Sequence, residues 1–421
     1  MMLFIYDALP VGGVETFFLR LFKERHKQGK KTLILLLSLP HKSDQELLEK
    51  IKCYAKVYFI NDILLFYGNF AKWFLLLTPL KKKNCVKLMK DIDHIHVTNA
   101  VNAFFANKLI ELVSKKIVMT VGMYHSLEFS WGKNSNLPFF ERMNRKYLFN
   151  FLPKENIYLF SETMIEFYKK RIGVDLSKSQ TFRLGVVDRN DKSTALNYSA
   201  RKEKEIRICS IGRLVDFKAY NLWMPEVINE LIKDGISIKY DIYGDGPLHD
   251  DIQKKINELK LSRFIRLRGK LPYSEFDNIV QKYDLCIGSG TSIIQSSGLG
   301  VPSIIGIESI ENPLTYGFFS ECSHVDFNVV GNKLPLKSVA KLIKDFVTLS
   351  QAQKIEISQK HIDMVEPFYM DNCSNNFDDK SLTKFVKNKK FPLFKYSVSF
   401  FLTRVIFKIT NKNFYKHTRT R

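Results

Sequence analysis

Residues 284–305 read DLCIGSGTSIIQSSGLGVPSII. An apolar run, Leu285–Gly288, empties into glycine, serine and threonine. A helical stretch follows, and Gly300-Val301-Pro302 leads into a second apolar run. Small residues at a strand-to-helix turn let backbone N–H groups approach an anion at the positive end of a helix. Yet the loop Gly288–Ser292 contains no Lys, Arg, Asp or Glu. Any cations that serve it must come from elsewhere in the chain.

Strand, loop, helix and strand at this spacing are the unit of a parallel, doubly wound sheet. The same alternation is expected on both sides of this stretch. In the second half, Ile206–Ile211, Lys239–Tyr243, Phe264–Arg268, Leu285–Gly288 and Ser303–Ile307 read as strands. In the first half, Met2–Tyr6, Thr32–Leu37, His94–Val97 and Lys116–Thr120 do so, with helices over Val14–Gln28 and Asn102–Val113. The polar segment Asp188–Glu205 is a linker between them. The expected division is a first α/β domain over 1–190, a second over 205–350, and crossover helices with a tail over 351–421. Two facing sheets of this kind place a ligand in the crevice outside the strand C-termini.

Composition fits that picture. The chain has 421 residues, 45% hydrophobic and 26% charged, which is globular composition and long enough for two cores. No run of 18 apolar residues predicts a membrane span. The N-terminal MMLFIYDALPVGG reads as a first strand rather than a signal peptide, because it lacks a basic start and breaks at Asp7. The six cysteines show no metal-type pairing, and Cys209 and Cys286 fall in core strands, which suits reduced thiols in a cytoplasm.

The formal net charge of +22 predicts an acidic partner. Residues 381–421 hold eleven Lys or Arg, nine Phe or Tyr and no acid, so half of the surplus sits in the tail. No nucleic-acid motif accompanies it, and nucleic acid is not expected as a partner. Phe394, Val398, Phe401, Val405 and Ile409 form one helical stripe, with Tyr396, Phe400 and Phe407 opposite. That apolar surface is wider than a surface helix needs. A second aromatic region, Asp62–Lys83, ends in three lysines. Both regions are expected to lie against an anionic bilayer face, where each cation adds roughly 1 kcal/mol. The alternative is that both dock on the protein.

Cations for the opening loop are found one strand away. Ile206–Ile211 runs into GRLVDFKAYN, so Arg213 and Lys218 lie at the sheet's C-terminal edge, where Arg offers bidentate contacts to a diphosphate and Lys a point charge. Gly244-Asp245-Gly246-Pro247 turns one further strand and Gly269 another. In order and spacing, these motifs resemble the donor-binding domain of retaining glycosyltransferases of the GT-B fold, family 4 type (glycosyl transferases group 1). The resemblance is close over 206–307 and looser over the first half.

It implies two facing Rossmann-like domains, α/β in class, with a nucleotide-sugar donor and a glycan or lipid-linked acceptor. Arg213 and Lys218 would hold the donor diphosphate. Ser289, Gly290, Thr291 and Ser292 would supply N–H groups to the same phosphates, with Gly244, Gly246 and Gly269 lining the donor side. In LPVGGVETFF, Gly12 and Gly13 match the family's first glycine loop, and Glu15 opens the helix. His125, in VMTVGMYHSLEF, stands where the family keeps an active-site histidine, whereas His94 and His96 flank a core strand. Gly185 lies at the hinge-side turn. No cofactor or metal is implied, and the setting would be the inner face of a bacterial membrane, in cell-surface polysaccharide assembly.

The family's two glutamates are missing. Counting back from Gly300-Val301-Pro302 puts Gln295 at the second; the first falls near Ile287, or is lost in GSGTS if the loop is shortened. A glutamine can accept a ribose hydroxyl through its amide oxygen, without charge. The lost acids keep a second reading open, a non-catalytic nucleotide-sugar-binding or partner module of the same fold.

Overall fold

The first apolar runs become strands because alternate residues are claimed by two different cores. The computed structural model describes residues 1–10, 12–68, 73–113, 115–124, 128–129, 131, 136–189, 205–322, 334–385 and 390–410. Strands β1 (Met2–Tyr6), β2 (Thr32–Leu36), β3 (Lys56–Phe59), β4 (His94–Val97), β5 (Val118–Met123), β6 (Ile157–Leu159) and β7 (Gln180–Thr181) form one sheet. Its order is β3-β2-β1-β4-β5-β6-β7, with every pairing parallel. Leu3 and Ile5 face Leu35, Ile95, Met119 and Phe105 of the helix Ala100–Val113. Met2 and Phe4 face Ile34, Leu36, and Phe18 and Phe22 of the helix Gly13–Lys27. Both faces are covered, so these strands read as unbroken apolar runs.

The strand expected at Lys116–Thr120 starts and ends later, because the register pairs His94 with Val118 and Val97 with Val121. His94 and His96 are buried on β4 and share the Thr120 hydroxyl, at 2.8 and 2.9 Å. The other ring nitrogen of His96 meets the Tyr124 hydroxyl at 2.9 Å. Burial lowers the His94 imidazole to about 3 and holds His96 well below its ordinary value, so both are neutral core groups.

The second unit is built on β8 (Ile206–Ile211), β9 (Ile238–Tyr243), β10 (Ile265–Gly269), β11 (Leu285–Gly288) and β12 (Ser303–Ile305). Their order is β10-β9-β8-β11-β12, again all parallel. The core packs Ile208, Tyr240 and Ile287 against Trp223, Val227 and Leu231 of the helix Tyr220–Lys233.

The chain divides at different places from those expected. One unit is Met1–Gly185 with Met370–Arg421; the other is Val186–Tyr369. The segment 351–421 is therefore not one body. The helix Gln351–Met364 stays with the second unit, while Met370–Asp378 returns to the first. Fully buried Phe377 draws it back, with its ring against those of Phe4, Phe17 and His96. Asp378 adds an ion pair to buried Arg25 at 2.7 Å. Gly185 backs onto Met370, where a Cβ would lie 2.8 Å from the Met370 Cα.

The tail helix Leu393–Ile409 docks on the first unit by one face. Tyr396 is buried and its hydroxyl donates to Asn144 at 2.8 Å. Phe400 packs edge-on against Phe140, and Phe407 against Trp131. Phe401 touches Trp73 and Phe74, which brings part of the 62–83 region to the same helix. That region is not a continuous helix, since Leu64 and Leu80 form an antiparallel bridge. Phe394, Leu402, Ile406 and Ile409 remain 52–78% exposed. No described helix is long and apolar enough to cross a membrane.

Candidate functional site

In the second sheet the connection from β8 goes to β9 on one side, while β11 lies on the other. Strand order reverses between β8 and β11, and the crevice outside their carboxyl ends is where such sheets bind ligands. The residues beyond β8 are Gly212 and Arg213, and those beyond β11 are Ser289 to Ser292. Leu285 pairs with Ile208 and Cys286 with Cys209, so the two loops leave the sheet side by side. The charge-free loop thus has its cations on the neighbouring strand.

Arg213 is exposed. Lys218 folds back toward the strand end, so that its Nζ would lie 2.7 Å from a Cβ at position 212. Gly212 is what leaves room for the ammonium group. Burial pulls the Lys218 pKa down; Glu308 opposes this and Arg213 adds to it. Glu308 stands in the loop after β12, which the backbone holds against this turn: the Ser309 N–H donates to the Phe217 carbonyl at 2.7 Å. An acid at this place was missed by sequence reasoning. Its signal was faint, one glutamate directly after the apolar run Ile304–Ile307.

The helix after the loop spans Thr291–Gly298 and is capped by Gly290 at φ 71° and ψ −139°. Its N-terminus follows the carboxyl end of β11, the neighbour of the strand that leads into Arg213. Cations and a helix N-terminus at adjacent strand ends are the groups from which anion sites are built. Gln295 lies one turn inside this helix and is half-buried.

Gly244 and Gly246 serve the same turn from beneath. Gly212 N–H donates to Tyr243 O at 2.9 Å, and Leu214 N–H to Asp245 O at 3.0 Å. Gly269 ends β10 and accepts from Gly244 N–H at 2.8 Å, with two strands between it and β11. These three glycines therefore shape the Arg213 turn.

In the first unit, Gly12 caps the helix Gly13–Lys27. Glu15 is buried, curls back over Gly12 and accepts the Tyr6 hydroxyl at 2.7 Å. It ties the glycine loop to the end of β1 as well as opening the helix. The first sheet reverses between β1 and β4, so this loop also leaves from a switch point. His125 lies outside the described residues; Tyr124 before it is held by His96. Among the described residues no group of three or more His, Cys, Asp or Glu could hold a metal ion.

The chain has the GT-B fold of glycosyltransferases. Over 90% of its length it matches a glycosyltransferase from Rickettsia africae ESF-5, with a TM-score of 0.62 at 15% identity over 98% of that chain. The lipopolysaccharide outer core galactosyltransferase WaaB matches over 90% of this chain and 98% of its own, with a TM-score of 0.52 at 14% identity. The pneumococcal O-GlcNAc transferase GtfA, solved with UDP and GlcNAc, matches over 91% and 98%, with a TM-score of 0.55 at 11% identity. At such identities the likeness is one of fold. No protein-family model matches the sequence, and comparison with curated proteins finds no match either.

Proposed function

We propose that this protein is a glycosyltransferase that moves a sugar from a UDP- or GDP-type donor to a glycan or lipid-linked acceptor, with retained anomeric configuration. The observation that carries the reading is that the turn with Arg213 and Lys218 and the loop that opens the helix Thr291–Gly298 follow neighbouring strands at the switch point of the second sheet. The two cations would neutralise the departing diphosphate, the task a metal ion performs elsewhere, so no metal is invoked. His125 would act near the transferred sugar. The fold shared with WaaB supports a setting in lipopolysaccharide or capsule synthesis. A screen of nucleotide-sugars by thermal shift tests the donor: at a hundred times Kd a bound donor stabilises by about 2.7 kcal/mol. If no nucleotide-sugar raises the midpoint, the proposal fails.

One observation favours a second reading, a non-catalytic module. Gln295 stands where counting puts a ribose-binding acid, the count for the other falls on Ile287 inside the sheet core, and the loop 288–292 holds no acid in its stead. Nucleotide release in the presence of acceptor separates the two, since a module binds donor and releases nothing.

The tail helix supports a peripheral position on the inner membrane face. Its docked side is accounted for by Tyr396, Phe400 and Phe407, while Phe394, Leu402, Ile406 and Ile409 face outward with Lys395 and Lys408. Removing residues 391–421 would strip buried Tyr396 from the core, so substitution is the cleaner test. Changing the four outward residues to serine is expected to keep the fold and weaken binding to phosphatidylglycerol vesicles by about a hundredfold or more, from roughly 1 kcal/mol lost per residue. Sedimentation with vesicles measures this; a variant that partitions like the wild type rules the bilayer out.

A further inference from the structure

Tyr220, the first residue of the helix after the Arg213 turn, has no obvious reason to be a tyrosine. Its ring is fully buried between the ends of β11 and β12. A Cβ at Gly306 would lie 2.5 Å from that ring, and one at Gly288 would lie 3.9 Å from its hydroxyl oxygen. The backbone just after β12 is therefore cut away at Gly306 to admit the phenol, whose hydroxyl reaches the end of β11, and Gly306 N–H donates to Gly288 O at 2.6 Å. Phenylalanine would fill this space equally well.

The hydroxyl points to the start of the phosphate loop. Burial raises the Tyr220 pKa, and the Ser289 hydroxyl and backbone are close enough to oppose that rise. They are not in hydrogen-bonding geometry, however. Tyr220 Oη and Ser289 Oγ are both buried with no hydrogen-bond partner. Ser289 is 2% exposed, and the next two residues open to solvent at the helix N-terminus. Buried hydroxyls in folded proteins are almost always satisfied, so two orphans side by side at an anion site call for an outside acceptor.

We propose that Tyr220 and Ser289 form a two-hydroxyl relay to the donor diphosphate. In the loaded site the Ser289 O–H donates to a phosphate oxygen, and the Tyr220 O–H donates to Ser289 Oγ. Each donation polarises the next, and the chain ends on a charged acceptor, where such bonds are strongest. Ser289 touches the ligand, and Tyr220 is a positioning residue behind it. Neither hydroxyl gains this partner in the empty protein, so their cost is carried by the free state and recovered on binding.

This inference rests on the donor reading above, and its test separates the two. Inorganic pyrophosphate, UDP and GDP are titrated into the wild type, Tyr220→Phe and Ser289→Ala by calorimetry, with thermal midpoints recorded for each. Both variants are expected to bind about tenfold more weakly, about 1.4 kcal/mol. Their midpoints without ligand should be unchanged or higher, because an unsatisfied buried hydroxyl is gone. A merely structural phenol would lower the midpoint and leave affinity alone. Wild-type affinity in both variants overturns the relay while leaving the donor site standing. A wild type that binds none of the three probes overturns both.

Discussion

Alanine at Arg213 or Lys218 is expected to cut turnover by about a hundredfold or more, with the fold intact. Charge develops on the leaving diphosphate oxygen as the sugar bond breaks. Preorganised donors aimed at such charge contribute about 3 kcal/mol or more each to the barrier. Arg213 is exposed, so its loss removes almost no packing. Lys218 is half-buried and folded toward Gly212, and Lys218→Met therefore serves as the control that keeps the stem and deletes only the ammonium group. The Lys218 variants should also lose their response to alkaline pH. Burial already draws this lysine's pKa down, so in the wild type the cation is lost earlier than for a free lysine as pH rises. Initial rates of nucleotide release, with circular dichroism as the check on folding, decide the matter. Full activity in the double alanine variant would end the glycosyltransferase reading.

Gly244→Ala should be the most damaging single methyl group in the second unit. A Cβ there would overlap the carbonyl oxygen of Gly212, and the obstacle is backbone rather than a movable side chain. Gly244 has φ 155°, where L side chains are also disfavoured. Relief requires prising the end of β8 from the end of β9, which are tied by Gly212 N–H to Tyr243 O. The expected cost is about 3 kcal/mol, a fall in the unit's midpoint on the order of 10 °C. Because the displaced strand end carries Arg213 and Lys218, nucleotide affinity should fall with stability. By contrast Gly13→Ala, whose Cβ meets open space, should leave the first unit's midpoint within about 2 °C. Equal midpoints for Gly244→Ala and wild type would show that these strand ends are free to separate.

The strands were legible because each is a short apolar run closed by glycine or a polar residue. Val118–Met123 was misplaced because Lys115 and Lys116 abut it, and the partner strand rather than the residues themselves decides where pairing begins. The candidate anion site was legible in part. Arg213, Lys218 and the loop 288–292 are separated by some seventy residues, yet each sits at the carboxyl end of a strand, and a parallel sheet brings such ends together. The missing acids were countable from Gly300-Val301-Pro302. His125, given by resemblance alone, lies outside the described residues.

What the residues determined by themselves is what nearest neighbours can enforce: the alternation of strand and helix, the helix that follows Gly290, and the cationic turn after Ile211. Contacts between segments far apart along the chain decided the rest. Asp378 finds Arg25, and Phe377 finds Phe4, so the end of the chain belongs to its beginning. Glu308 comes beside Lys218 only when the loop after β12 closes on Phe217. Tyr220 becomes notable only once Gly306 is seen to make room for it. Local periodicity carries no record of such partners, because burial is shared between surfaces and a residue's own type cannot say which surface will cover it.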